Sequence, residues 1–373
     1  MDALMLPLNW QRVRLGDIGK PCMCKRVMKH QTTRYGEIPF YKIGTFGNTA
    51  DAFISKKLFL EYKTKYSFPK KGDILISASG TIGRAVIYDG KPAYFQDSNI
   101  VWIDNDETLV KNNFLFYAYS NVKWNTEHTT ILRLYNDNFR NTLIPLPPLN
   151  EQSAIANILN DLDRYLCTLD ALILKKEGVK KALSFELLSQ RKRLKGFNQA
   201  WQRVRLGDIA NYLTSNLSAE QITQQGKIKV YDVNNFIGYT DTTFISDKPY
   251  ISIVKDGSVG RVRILPPKTN ILSTMGALIA NHRTTTEFLF YLLSNFDFKN
   301  FTSGSIIPHI YFKDYKEKTI FLPPLNEQSA IANILSALDN EIASLKNKKR
   351  QFDNIKKALN HDLMSAKIRV LKK

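Results

Sequence analysis

Cys22 and Cys24 stand one residue apart with His30 nearby, the nearest this sequence comes to a zinc site, since thiolate and imidazole are ligands zinc prefers. A four-ligand set needs a second cluster, and the sequence offers none. Cys167 is isolated, and His128, His282, His309 and His361 form neither an HExxH nor an HxH pattern. Asp51, Glu61 and Lys63 imitate the carboxylate order of metal-dependent nucleases, but such spacing arises by chance and the second half of the chain has no counterpart. GTIGRA from Gly80 and GSVGRV from Gly257 bring glycines together at a spacing that does not match GxxxxGK[ST], so they read as tight turns between strands and not as phosphate loops. A glycine signature for S-adenosylmethionine and an acidic-Pro-Pro-aromatic methylation motif are both missing from the sequence. The expectation is a chain that binds without catalysing, with no catalytic residue, metal or cofactor of its own.

What the glycine turns can do is present side chains. Arg84 and Arg261 follow them directly, and an arginine on a rigid turn suits a phosphate oxygen or a guanine edge. Further donors and acceptors are Tyr41, Lys42, Ser77, Ser79, Thr81, Arg133 and Tyr135 in the first half, and Ser252, Ser258, Ser305, His309 and Tyr311 in the second. Charge supports a polyanionic partner: 53 Lys and Arg against 34 Asp and Glu give +19 over 373 residues. The basic residues are scattered through sequence that is 43% hydrophobic, which favours folded nucleic-acid-binding domains over a membrane-surface helix or a disordered tail. Three cysteines cannot make a disulfide framework and point to a reducing cytoplasm. The opening residues have no signal-peptide pattern, and no apolar run approaches the roughly 18 residues of a membrane span.

The elements that must hold these residues are set by an internal repeat. WQRVRLGDI runs from Trp10 and recurs from Trp201, while LPPLNEQSAIANIL runs from Leu146 and recurs from Leu322. The second offset persists to the end of each half, with LLSQRKRL from Leu187 against LMSAKIRV from Leu363. Fixed arms therefore alternate with divergent segments. Two copies of this length are a domain duplication, because solenoid units run to about 20–50 residues.

Each arm reads as a long helix. Pro147 and Pro148 stop the preceding element, Asn150 can cap free amides, and Glu151 suits the positive helix end. Apolar residues then follow at Ile155, Leu159, Leu162, Leu166, Leu169 and Ile173, a heptad-like seam, with Gly178 as its weakest point. Pro323, Pro324, Asn326 and Glu327 open the second arm in the same way, and its seam runs from Ile331 to Leu363. A helix from Glu151 to Leu194 would be about 66 Å long at 1.5 Å per residue and needs a partner. If the two seams pair, the second helix runs back antiparallel and the C-terminus returns beside the N-terminus. The divergent segments carry short apolar runs broken by Gly, Pro, Asn and Asp, and FLFYAYSN from Phe114 matches FLFYLLSN from Phe288 as a buried helix. The expected fold is therefore mixed α/β: two globular domains with a curved sheet, held apart by two long antiparallel helices with pseudo-two-fold symmetry. The expected segments are 1–148 and 197–324 for the domains, and 149–196 and 325–373 for the helices.

W-x-x-V-x-L-G-D at the start of each half and L-P-P-L-x-E-Q-x-x-I-A-x-I-L at the start of each helix resemble the specificity subunit of type I restriction-modification enzymes, in the family's order and over nearly the whole chain. The resemblance implies two target recognition domains, each reading half of a bipartite double-stranded DNA site, with the helices setting the spacer. It also implies two modification subunits and further motor-nuclease subunits as partners, which would carry S-adenosylmethionine, ATP and magnesium. Pro148, Asn150, Glu151, Gln152, Pro324, Asn326, Glu327 and Gln328 match the helix-opening motif and become the structural joint and partner surface; no base-contacting residue transfers. Two other readings remain open: a scaffold, such as a recombined chain that no longer reads DNA, and a self-contained nuclease or methyltransferase with drifted motifs.

Overall fold

A computed structural model of the protein describes residues 7, 9–126 and 132–370; His128 and both extreme termini lie outside them. The chain divides into two compact units, one made of residues 1–169 with 348–373 and the other of 170–347. These units cut across the four-part division expected from the repeats, because each takes part of both long helices.

In the first unit a four-stranded antiparallel sheet runs in the order Gly19–Met23, Ile100–Asn105, Ile74–Ser77, Ala85–Ile87. Its central strands read as unbroken apolar runs because both faces are covered, and successive side chains alternate between two cores. Ile74, Ile76, Val101 and Ile103 point toward the helix Asn112–Tyr119. Leu75, Ile100 and Trp102 point toward a three-stranded sheet of Phe53–Ile54, Ile38–Tyr41 and Tyr94–Phe95. Two sheets thus replace the single curved sheet expected from the sequence.

The second unit repeats this plan. Its four strands are ordered Ala210–Thr214, Met275–Ala280, Tyr250–Val254, Val262–Leu265, and the smaller sheet joins Phe236–Thr240, Ile228–Tyr231 and Asn270–Ile271. Ile251, Ile253 and Leu278 face the helix Thr286–Ser294, while Tyr250, Val254 and Ala277 face the other core.

The repeated motifs close each unit on itself. Gln11–Arg14 pairs antiparallel with Leu143–Leu146, and Gln202–Arg205 with Thr319–Leu322, in matching register from Gln11 opposite Leu146 and Gln202 opposite Leu322. Each helix-opening motif therefore follows directly on a strand pinned to the start of its own domain.

Both long helices have 40 residues, Leu149–Leu188 and Leu325–Met364. The first runs unbroken through Gly178, whose missing side chain faces open space, and ends before the Leu194 expected from the sequence. Asn150 sits inside the first turn and not ahead of it; its Oδ1 still accepts one of the free amides, from Glu151 at 2.9 Å. In the first unit the helices run antiparallel: Lys356 pairs with Asp163, and the Tyr165 and Phe352 rings lie 4.7 Å apart. Asp163 also accepts the Tyr117 hydroxyl at 2.8 Å. The second unit does the same with Lys180, Asp339 and Tyr291, the hydroxyl bond again 2.8 Å. Burial, and then the neighbouring carboxylate, push both tyrosine hydroxyls well above their usual range. Among the described residues no helix is long and apolar enough to cross a membrane.

Candidate nucleic-acid interface

The Gly80–Arg84 and Gly257–Arg261 turns have the same conformation. Gly80, Gly83, Gly257 and Gly260 all have positive φ, at +64°, +84°, +82° and +81°. This left-handed region strains any residue with a Cβ, which explains why both turns keep glycine at both places. Gly83 donates to the Ser77 carbonyl at 2.9 Å and Gly260 to the Val254 carbonyl at 2.9 Å. An aromatic ring is laid against each second glycine, Trp124 in the first unit and Phe298 in the second, so close that an added Cβ would meet it at 2.1 Å and 2.6 Å.

A second loop is laced to each turn. Ser79 bridges to Arg133 and Asp256 to His309, and the loops are tied by Leu134 donating to the Ala78 carbonyl and Ile310 to the Lys255 carbonyl, both 2.9 Å. Arg133 and Tyr135 are thereby placed as His309 and Tyr311 are. The turn arginines also reach the loops of the small sheets: Arg84 donates to the Phe46 carbonyl at 3.0 Å, and Arg261 to Asn234 Oδ1 at 2.7 Å. In each unit the turn, the laced loop and the small-sheet loop make one surface.

The candidates divide on this frame. Thr81, Arg84, Arg133 and Tyr135 in the first unit, and Ser258, Arg261, Ser305 and Tyr311 in the second, are exposed. His309 is half-buried, with Nδ1 2.6 Å from Asp256 Oδ1, which fixes its ring. Lys42 pairs with Asp51 at 2.8 Å, and the Tyr41 ring stacks on Phe95. Ser77, Ser79 and Ser252 must be corrected. All three are buried and occupied: Ser77 binds the Thr81 carbonyl and the Arg84 amide, Ser79 donates to Asn99 Oδ1 at 2.7 Å, and Ser252 donates to the Arg263 carbonyl at 3.3 Å. They build the surface from beneath.

Sequence reading missed Asn234, Trp124, Phe298 and Arg263. Arg263 donates to the Asn234 carbonyl at 2.9 Å and lies over the Tyr231 ring. The signal for Arg263 was present, since a residue two positions beyond Arg261 on a strand shares its face.

The helix-opening residues form a separate constellation. Glu151 is 2% exposed and accepts from Trp10 Nε1 at 3.0 Å and from Arg369 Nε and Nη2 at 2.7 and 2.9 Å. Glu327, fully buried, accepts from Trp201 Nε1 at 2.9 Å and from Arg193. Arg369, five residues beyond the second long helix, is thus returned to Trp10, as the antiparallel expectation requires. Gln152 binds the Leu109 and Pro147 carbonyls and the Lys111 amide; Gln328 binds the Arg283 and Pro323 carbonyls and the Thr285 amide. These four side chains are turned inward and present nothing to a partner. Asn150 and Asn326 are exposed, and Pro148 and Pro324 half-exposed, so the outer face of the motif is theirs together with Leu149 and Leu325.

Cys22 and Cys24 gather no metal set, and no such group occurs among the described residues. Burial pushes the Cys24 thiol up to about 12. At pH 8 a thiol reagent followed by mass spectrometry is therefore expected to label exposed Cys167 and leave Cys24 unmodified until denaturant is added; equal labelling in the native protein would contradict this burial. Asp51, Glu61 and Lys63 do not converge: Asp51 pairs with Lys42, Glu61 with Lys65, and Lys63 lies over Phe59 and Phe68.

Residues 7–176 and 198–352 match the family model described as the type I restriction modification DNA specificity domain. A putative type I restriction enzyme specificity subunit of Haemophilus influenzae is 62% identical over 152 residues, a match that spans 40% of each chain. The MjaVIII type I restriction enzyme specificity subunit of Methanocaldococcus jannaschii is 25% identical over 99% of this chain and 95% of its own. In fold, the chain is similar to the S subunit of a type I restriction-modification system from M. genitalium, with TM-score 0.64, 19% identity and coverage of 96% of this chain and 98% of that one. A second structure, concerned with assembly and conformational transition of a type I R-M system, aligns with TM-score 0.57 at 16% identity over 96% and 98% of the two chains.

Proposed function

Because the chain belongs to the type I restriction-modification DNA specificity family, we propose that each of its units reads one half of a bipartite DNA site on behalf of a methyltransferase and ATP-dependent nuclease complex. The observation that carries this reading is the pair of frames closed by matching hydrogen bonds and bearing different side chains. Turn, laced loop and aromatic buttress repeat, while Thr81 and Arg133 of one unit are replaced by Ser258 and His309 in the other. A constant frame with variable donors is what two half-sites of different sequence require.

In this reading the chain is the non-catalytic member of its complex and works in the cytoplasm. S-adenosylmethionine, ATP and magnesium belong to its partners. The two long helices, equal at 40 residues, set the unread spacer. Two modification subunits dock on the repeated helix openings through Pro148, Asn150 and the exposed Leu149, and through Pro324, Asn326 and Leu325.

The test is genome-wide detection of methylated bases in a host expressing the chain with its neighbouring modification subunit, against a host lacking the chain. A new split motif with a fixed gap is expected. A stable complex that adds no methylation would replace this reading with that of a scaffold.

A further inference from the structure

Beside the laced loop of the second unit lies a groove of about 370 Å³ for which the reading above assigns no role. Its floor is aromatic: Tyr212 and Phe312 stack face to face, with centroids 4.6 Å apart and planes 9° from parallel. Lys255, Lys313 and Lys316 line it, with Tyr311 at its edge. The backbone of Lys255 is fixed on both sides, donating to the Thr274 carbonyl at 3.1 Å and accepting from Ile310 at 2.9 Å. Lys313 lies over the Tyr311 ring at 5.5 Å, and Lys316 makes a long ion pair with Glu317, at 3.9 Å. Asp256, the acid next to Lys255, is already engaged by His309.

The first unit lacks this groove's charge. The matching hydrogen bonds make Ala78 the counterpart of Lys255, and Tyr135 the counterpart of Tyr311. Counting on from that tyrosine, Asn136 stands for Phe312 and Asp137 for Lys313. Arg140 stands for Lys316, since the Cβ of each lies 3.2 Å from where a Cβ would stand on the glycine of the repeated LGD, Gly16 and Gly207. Three cations on an aromatic floor in one unit thus correspond to one cation and one acid in the other.

The geometry points to a DNA-backbone site confined to the second unit: Lys255 and Lys313 each hold a phosphate, and the Tyr212–Phe312 floor takes the intervening sugar. The inference rests on the DNA-reading function proposed above and adds that the two halves are gripped unequally, the second half-site being the more salt-sensitive anchor. Ammonium groups suit this role because phosphate contacts position the protein without reading sequence.

The test measures binding of the full chain to a fluorescent random-sequence duplex across a salt series, for the wild type, Lys255→Ala/Lys313→Ala and Lys248→Ala/Lys268→Asn. The last pair removes the same charge from the far end of the Tyr250–Leu265 hairpin, and Asn tolerates the positive φ at Lys268. Each lost phosphate contact flattens the plot of log K against log salt by about 0.9, so the groove variant is expected to lose about 1.8 in slope while the far-end variant keeps the wild-type slope. An unchanged slope in the groove variant overturns the groove and leaves DNA reading intact. An equal loss in the far-end variant also overturns it, as a bulk charge effect. A wild type with no salt-dependent binding overturns both.

Discussion

Glu151→Ala is expected to lower the unfolding free energy by about 3 kcal/mol, measured by denaturant titration, because it strands a buried indole N–H and unpairs a guanidinium in one step. The carboxylate is 2% exposed and accepts three hydrogen bonds, one from Trp10 and two from Arg369. The figure lies at the lower end for a broken buried pair because the Arg369 side chain keeps 29% of its exposure and can regain water. The loss should be accompanied by faster amide exchange in residues 365–370, which Arg369 ties to Trp10. Glu151→Gln keeps an acceptor for the indole and should lose roughly half as much. A Glu151→Ala protein within about 0.5 kcal/mol of wild type, the range of an ordinary surface substitution, would show that the strand pairing Gln11–Arg14 with Leu143–Leu146 closes the unit without the carboxylate.

The second large effect is at Gly83. Gly83→Ala meets two obstacles: a φ of +84° that alanine adopts at a cost of about 1–2 kcal/mol, and a Cβ placed 2.1 Å from Trp124 Nε1. Gly80→Ala meets only the first, since its nearest atom is 4.0 Å away, and this contrast separates backbone strain from the clash. Relief at Gly83 requires Trp124 to move, and its ring packs against Phe139 in the helix Asn136–Asn141 that directly follows Arg133 and Tyr135. If each unit reads one half-site as proposed, the assembled complex carrying Gly83→Ala should stop discriminating changes in the first unit's half while still rejecting changes in the other half. Binding assays with each half scrambled in turn give this directly; equal loss of discrimination at both halves would mean that the turn acts through global stability.

Much of the architecture was legible because the duplication prints each structural decision twice. The strand pinned to the domain start, the helix opening and the buried FLFY helix all recur, so a position essential to packing shows itself by returning in the second half. The interface was less legible for the same reason. Residues that differ between the halves carry no second copy to mark them, and a serine on a strand looks alike whether it faces solvent or core. Ser77 and Ser252 were read as donors for DNA, yet the strand alternation that buries their neighbours leaves them inside a sheet covered on both faces.

By itself the sequence determined the repeat, the helix seams, the glycine turns and the charge that favours a polyanion, since each is a matter of local pattern or of a sum over residues. Only the tertiary structure decided which residues share a surface. Arg133 reaches Ser79, and His309 reaches Asp256, through loop closures more than 50 residues long. Closure of that kind is fixed by packing: by Trp124 and Phe298 against glycines that leave them room, and by buried carboxylates that draw in an indole and a guanidinium from far along the chain.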